Sequence, residues 1–90
     1  MPRPRAVKPR SVRHAALGQA IELVMAEDVH MTLDSVAADS GLDEKHIGTL
    51  IRGQGNPTYE TLVKLCEGLH VSPGELIVRA DELHGRRVRR

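Results

Sequence analysis

Thr32-Leu33-Asp34-Ser35-Val36-Ala37-Ala38-Asp39-Ser40-Gly41-Leu42-Asp43-Glu44-Lys45-His46-Ile47-Gly48-Thr49-Leu50-Ile51-Arg52-Gly53 decides the fold of this 90-residue chain. Thr32 suits a helix N-cap, because its hydroxyl can accept from an orphan amide, and Ser35 stands at the capping-box position. Leu33, Val36 and Ala37 then recur at i, i+3 and i+4, one apolar helix face. Gly41 stops that helix, since a left-handed terminal residue is cheapest as glycine. Asp43 recaps the chain, Ile47, Leu50 and Ile51 give a second apolar stripe, and Gly53 closes it. Small Ala37 lets the two helices cross closely. The face left polar on the second of them holds Glu44, Lys45, His46, Gly48, Thr49 and Arg52.

The pattern is that of a helix-turn-helix, a unit whose second helix can enter the DNA major groove. An ordinary αα-hairpin inside an all-helical domain is the alternative this stretch alone leaves open.

Ninety residues make one small domain, enough for a core of four or five helices. With one tyrosine, no phenylalanine and no tryptophan, that core must be aliphatic. No apolar run approaches the roughly 20 residues of a membrane span. The basic, proline-rich start is unlike a signal peptide. A lone cysteine, Cys66, cannot form an internal disulfide and fits a reducing cytoplasm.

The net charge of +1 conceals an asymmetry. Nine of the 13 basic residues lie at the ends: Arg3, Arg5, Lys8, Arg10 and Arg13 in one tail, Arg86, Arg87, Arg89 and Arg90 in the other. The body, His14 to Gly85, keeps four basic residues against all 12 acids, a balance of −8. Attraction to phosphates should therefore reside in the tails.

Residues 1–12 are expected to be a flexible basic arm, with three prolines and no apolar period. Such an arm can follow a DNA backbone or enter a minor groove; a merely solubilising tail is the equal alternative. Ser11 can cap a first helix running to about Asp28, with Leu17, Ala20, Ile21, Val24 and Met25 inward. After Gly53, the stretch Gln54-Gly55-Asn56-Pro57-Thr58 is dense in turn formers, and Thr58 can cap a fourth helix. Its apolar side holds Leu62, Val63, Leu65, Cys66 and Leu69, with Cys66 read as a small core residue. Ser72-Pro73-Gly74-Glu75 starts a fifth helix by a capping-box pair with proline at its first position. That helix carries Leu76, Ile77, Val78, Ala80 and Leu83, more apolar surface than one face needs, so part of it suits a second subunit. The folded body is expected over 13–83, and a frayed basic tail over 84–90.

From Leu17 to about Leu83 the chain resembles the phage-repressor and Cro type of helix-turn-helix domain, the XRE class. The resemblance rests on Leu17-Gly18 and Ile21, Val36-Ala37, Gly41-Leu42, Ile47 through Arg52-Gly53, Asn56-Pro57-Thr58, Glu60-Thr61-Leu62, Leu65, Val71-Ser72-Pro73 and Glu75-Leu76. It implies an all-α, five-helix repressor-like bundle and a sequence-specific DNA-binding transcriptional regulator, a repressor, acting as a homodimer on double-stranded DNA. The third helix, about residues 43–52, would read the major groove.

The family's base-reading positions fall on Glu44, Lys45 and Thr49, with His46 beside them. Its backbone-contacting positions fall on Thr32, Arg52, Gln54 and Asn56, and the arm would add Arg3, Arg5, Lys8 and Arg10. Leu33 stands where the family commonly has glutamine, which removes one phosphate contact. Met25 and Ile51 replace a frequently buried arginine and glutamate. Two matched apolar residues are a tolerated exchange for such a pair, and they are expected to touch.

A protein-interaction module, antitoxin-like or antirepressor-like, is the competing function. It would keep the fold with weak or no DNA binding, in line with the acidic body and with Asp43 and Glu44 at the start of the reading helix. An enzyme is not expected. His14, His30, His46, His70 and His84 lack metal-ligand spacing, and no phosphate-cradling glycine motif or nucleophile elbow is present. Neither cofactor, metal, membrane partner nor small-molecule effector is called for.

Overall fold

The computed structural model describes residues 8–88, with side chains through Gly85. Arg3 and Arg5 of the expected arm, and Arg89 and Arg90 of the expected tail, lie outside the described residues. Five helices follow in order: α1 (Val12–Ala26), α2 (Leu33–Ser40), α3 (Glu44–Ile51), α4 (Tyr59–Leu69) and α5 (Pro73–Val88).

Local chemistry sets most of the boundaries. Ser11 Oγ accepts from the His14 N–H at 3.1 Å. Thr32 and Ser35 form the reciprocal capping box, with bonds of 3.1 and 2.9 Å. Thr58 and Ser72 cap α4 and α5 by accepting from the amides of Thr61 and Glu75. Gly41 ends α2 in the left-handed region at φ 78°.

Four helix ends differ from the sequence reading or add to it. Asp43 has the extended backbone of an N-cap but makes no side-chain cap bond, so its carboxylate acts on α3 only through the helix dipole. His70, not a glycine, ends α4 in the left-handed region at φ 60°. The residues after Leu83, expected to fray, continue α5 through Val88. At the other end, α1 stops at Ala26, two residues before the expected Asp28.

The core is aliphatic, as the composition requires. Ile21, Ile47, Leu50, Leu65, Leu69, Leu76, Val36 and Cys66 are fully buried, while Tyr59, the single aromatic, is 76% exposed. Each fully buried Leu or Ile is worth about 1.5–3 kcal/mol over its exposed state. Leu17, Met25, Leu33, Ile51 and Leu83 are half-buried around the same core, which places Met25 and Ile51 on one cluster.

Helix α1 packs on α5 and α3, α2 packs on α4 and α3, and α4 also packs on α5. Arg79 and Asp81 flank α5 on opposite sides, and they pair with Glu27 and Arg13 at opposite ends of α1. Helix α5 therefore lies across α1.

Two glycines set the closest helix approaches. A Cβ on Gly18 would lie 2.1 Å from the Ile51 carbonyl oxygen, so α1 meets the last turn of α3 backbone to backbone. A Cβ on Gly68 would lie 2.6 Å from the Val36 carbonyl oxygen, which brings α4 equally near α2. Ala37, assigned the close crossing from the sequence, is only half-buried beside this core.

Candidate nucleic-acid interface

Helix α3 is amphipathic in a way that leaves one side free. At about 100° per residue, Ile47, Leu50 and Ile51 share an inner arc; Ile47 and Leu50 are fully buried. Lys45, Gly48, Thr49 and Arg52 share the opposite arc, with His46 on one flank and Glu44, at the helix start, on the other. Glu44, Lys45, His46 and Arg52 are exposed, and Gly48 and Thr49 are half-buried.

The Thr49 hydroxyl donates to the Lys45 carbonyl at 2.9 Å, and the Thr49 methyl faces Gly55. The Arg52 guanidinium folds back along the helix, its Nη1 3.2 Å from where a Gly48 Cβ would stand. The missing side chain at Gly48 thus makes room for a cation on the outer face.

Two devices hold this face in position. Ser40, 6% exposed, accepts from the Leu42 N–H at 3.1 Å and so fixes the turn between α2 and α3. Gly18 docks the far end of α3 on α1. Neither was given a role from the sequence. A glycine inside a helix costs about 0.5–1 kcal/mol against alanine, and that penalty was the available sign of a close approach at Gly18.

The expected backbone-contacting residues divide into two groups. Thr32 is exposed at the start of α2, its hydroxyl engaged in the capping box, and Arg52 is exposed beside it in role. Gln54 and Asn56 instead bond within the chain: Gln54 Nε2 donates to the Lys8 carbonyl at 3.1 Å, and Asn56 Oδ1 lies 3.1 Å from His14 Nε2. Leu33 packs against the core.

Charge is graded along α3. Asp43 and Glu44 stand at its N-terminus, where the helix dipole favours them. Lys45 and Arg52 occupy the outer face, and Lys8 and Arg10 sit by the loop after it. Other charges are paired away from this face, Arg13 with Asp81 at 3.1 Å and Arg79 with Glu27 at 2.6 Å, and His70 Nε2 lies 3.4 Å from Asp39 Oδ2.

Burial, then the nearby Glu75 charge, push the Cys66 thiol up to about 11, so it stays protonated near neutrality. Among the described residues, no group of three His, Cys, Asp or Glu could hold a metal ion. No helix among the described residues is long and apolar enough to cross a membrane.

Residues 23–82 match the Cro/C1-type helix-turn-helix DNA-binding domain. The chain is 40% identical over 52 residues to the uncharacterized HTH-type transcriptional regulator y4dJ of Sinorhizobium fredii, covering 58% of this chain and 68% of that protein. Its fold is similar to that of the clp gene regulator ClgR from Corynebacterium glutamicum, at 24% identity and a TM-score of 0.77, over 88% of this chain and 83% of that one. It is also similar to C.Esp1396I bound to a 19 base pair DNA duplex, at 25% identity and a TM-score of 0.71, over 81% of this chain and 96% of that one.

Proposed function

This chain belongs to the Cro/C1-type helix-turn-helix DNA-binding family of transcriptional regulators, and we propose that it acts in the cytoplasm as a homodimeric repressor whose α3 reads the major groove of a two-fold symmetric site. The observation that carries this reading is the free outer arc of α3, with Lys45, Thr49 and Arg52 displayed by a helix whose inner arc is locked in the core.

Base recognition follows from the donors and acceptors on that arc. Lys45 can donate to guanine O6 and N7, Glu44 at the helix start can accept from cytosine N4, and the Thr49 hydroxyl oxygen, whose proton goes to the Lys45 carbonyl, can still accept from a base amine. His46 flanks the same groove wall. Arg52 and Thr32 meet phosphates on either side, and Arg3, Arg5, Lys8 and Arg10 add charge from the arm. Phosphate contacts supply affinity and register, and base contacts supply preference.

The surface we assign to a second copy is α5, where Ile77 and Val78 are 41% and 57% exposed and Leu83 is half-buried on another side of the helix. Two copies would then present α3 about 34 Å apart, one helical turn of DNA.

Selecting bound duplexes from a random pool tests the reading. Recovery of a palindrome with half-sites one turn apart is the expected result. Recovery of no enriched sequence, with binding no tighter than that of bulk DNA, would refute it. Lys45→Ala should relax preference at one or two positions of each half-site, at a cost of about 1–3 kcal/mol.

A further inference from the structure

The N-terminal segment does not leave the body at Ser11. It is tied to the loop that ends α3 at three points. The Arg10 N–H donates to the Gly53 carbonyl at 2.8 Å, Gln54 Nε2 donates to the Lys8 carbonyl at 3.1 Å, and Arg10 Nη1 donates to the Gln54 carbonyl at 3.4 Å. Pro9 closes over Gly53, where an added Cβ would lie 2.8 Å from the Pro9 Cβ. One turn further on, His14 bridges Ser11 Oγ at 2.7 Å and Asn56 Oδ1 at 3.1 Å.

The ties have an electrostatic consequence. The C-terminal end of a helix carries about half a negative charge, so a phosphate near the end of α3 needs cations gathered there. Arg52 is one, as the cap residue of α3. Lys8 and Arg10, both exposed, are held by the loop that follows it, Lys8 through the Gln54 side chain and Arg10 through the Gly53 and Gln54 carbonyls. The Gln54 side chain is engaged with a peptide carbonyl of this chain, although its position matches a phosphate-contacting one in the family.

We infer that Gln54 is a positioning residue, which holds the basic segment Lys8–Arg10 against the end of α3 so that Lys8, Arg10 and Arg52 meet the DNA backbone there in place of the Gln54 amide. The inference rests on α3 being the DNA-reading helix.

Counterion release separates the two roles of Gln54. A neutral amide that touches a phosphate releases no counterion, whereas each seated cation contributes about 0.9 to the slope of log K against log salt. Binding of the selected duplex is measured by fluorescence anisotropy across a salt series for the full chain, Gln54→Ala, Lys8→Ala/Arg10→Ala, and the triple variant. Gln54→Ala is expected to lower the slope by about 1, through Lys8, because Arg10 keeps its bonds to the Gly53 and Gln54 carbonyls, and Lys8→Ala/Arg10→Ala by about 2. Adding Gln54→Ala to the latter should change affinity less than about twofold, because the charges it positions are already gone. An affinity loss of the same factor in both backgrounds, with the slope unchanged, overturns the inference and makes Gln54 a direct ligand.

The seat itself is read without DNA. Trypsin should cut after Arg10 several times faster in Gln54→Ala than in the full chain, at a melting temperature changed by less than about 4 °C; equal rates overturn it. A full chain that retains no duplex defeats the proposed function instead, and the trypsin comparison still decides the seat.

Discussion

Gly18→Ala tests the contact that orients the reading helix. The added Cβ would sit 2.1 Å from the Ile51 carbonyl oxygen, 2.8 Å from the Ile51 carbonyl carbon and 3.0 Å from the Leu50 carbonyl oxygen. All three are backbone atoms of the last turn of α3, so no rotamer change relieves the overlap. Real Cβ contacts essentially never fall under 3.0 Å, and α1 and α3 must separate by about 1 Å in an interior packed at crystal-like density. Overpacking of this kind costs about 1–3 kcal/mol. The better helix propensity of alanine returns about 0.5–1 kcal/mol, which leaves a net loss centred on about 1 kcal/mol and reaching about 2.5 kcal/mol. In a domain this small that lowers Tm by about 5–15 °C, out of a total stability of about 5–13 kcal/mol.

Gly48→Ala is the matched control, since the same change in α3 meets only the flexible Arg52 guanidinium at 3.2 Å and should stabilise by about 0.5–1 kcal/mol. Thermal and urea unfolding followed by far-ultraviolet circular dichroism measure both. If Gly18→Ala melts at or above the parent temperature while Gly48→Ala behaves as expected, the backbone contact does not set the spacing of α1 and α3.

Three further outcomes are expected. Ser40→Ala leaves the half-buried Leu42 N–H without its partner and should cost about 1–3 kcal/mol in urea unfolding, more than Ser35→Ala on the exposed capping box. For Cys66 the folded thiol titrates near 11 against an ordinary value of 9.0. Its contribution is therefore fully present below pH 9 and is lost as pH rises towards 11, so the urea midpoint of the parent should fall over that window more than that of Cys66→Ala. Leu83→Glu should convert dimers to monomers in sedimentation equilibrium; an unchanged mass would remove α5 from the interface.

The elements legible in the sequence were those written in local chemistry. Thr32 with Ser35, Gly41, Thr58 and Ser72 each solve a helix-end problem with neighbours three residues away, so spacing alone reveals them. The outer arc of α3 was legible for the same reason, because Ile47, Leu50 and Ile51 fix which side faces in. What escaped was long-range. Gly18 and Gly68 matter because of carbonyls on other helices, and Gln54 and Asn56 because the N-terminal segment returns to their loop. Residues 84–88 lack the apolar period by which a helix is recognised, yet α5 continues through Val88. Asp43 shows the converse: the backbone adopts the cap geometry while the carboxylate takes no part in it.

The crossing of α5 over α1 has a mechanical consequence. Salt bridges grip α1 near both of its ends, and at Gly18 it rests on the final turn of α3 with no side chain between them. A shift of α5 is passed to α1 through the packing between them. It would swing α1 as a stiff lever, and the lever's load is the angle at which α3 meets the groove.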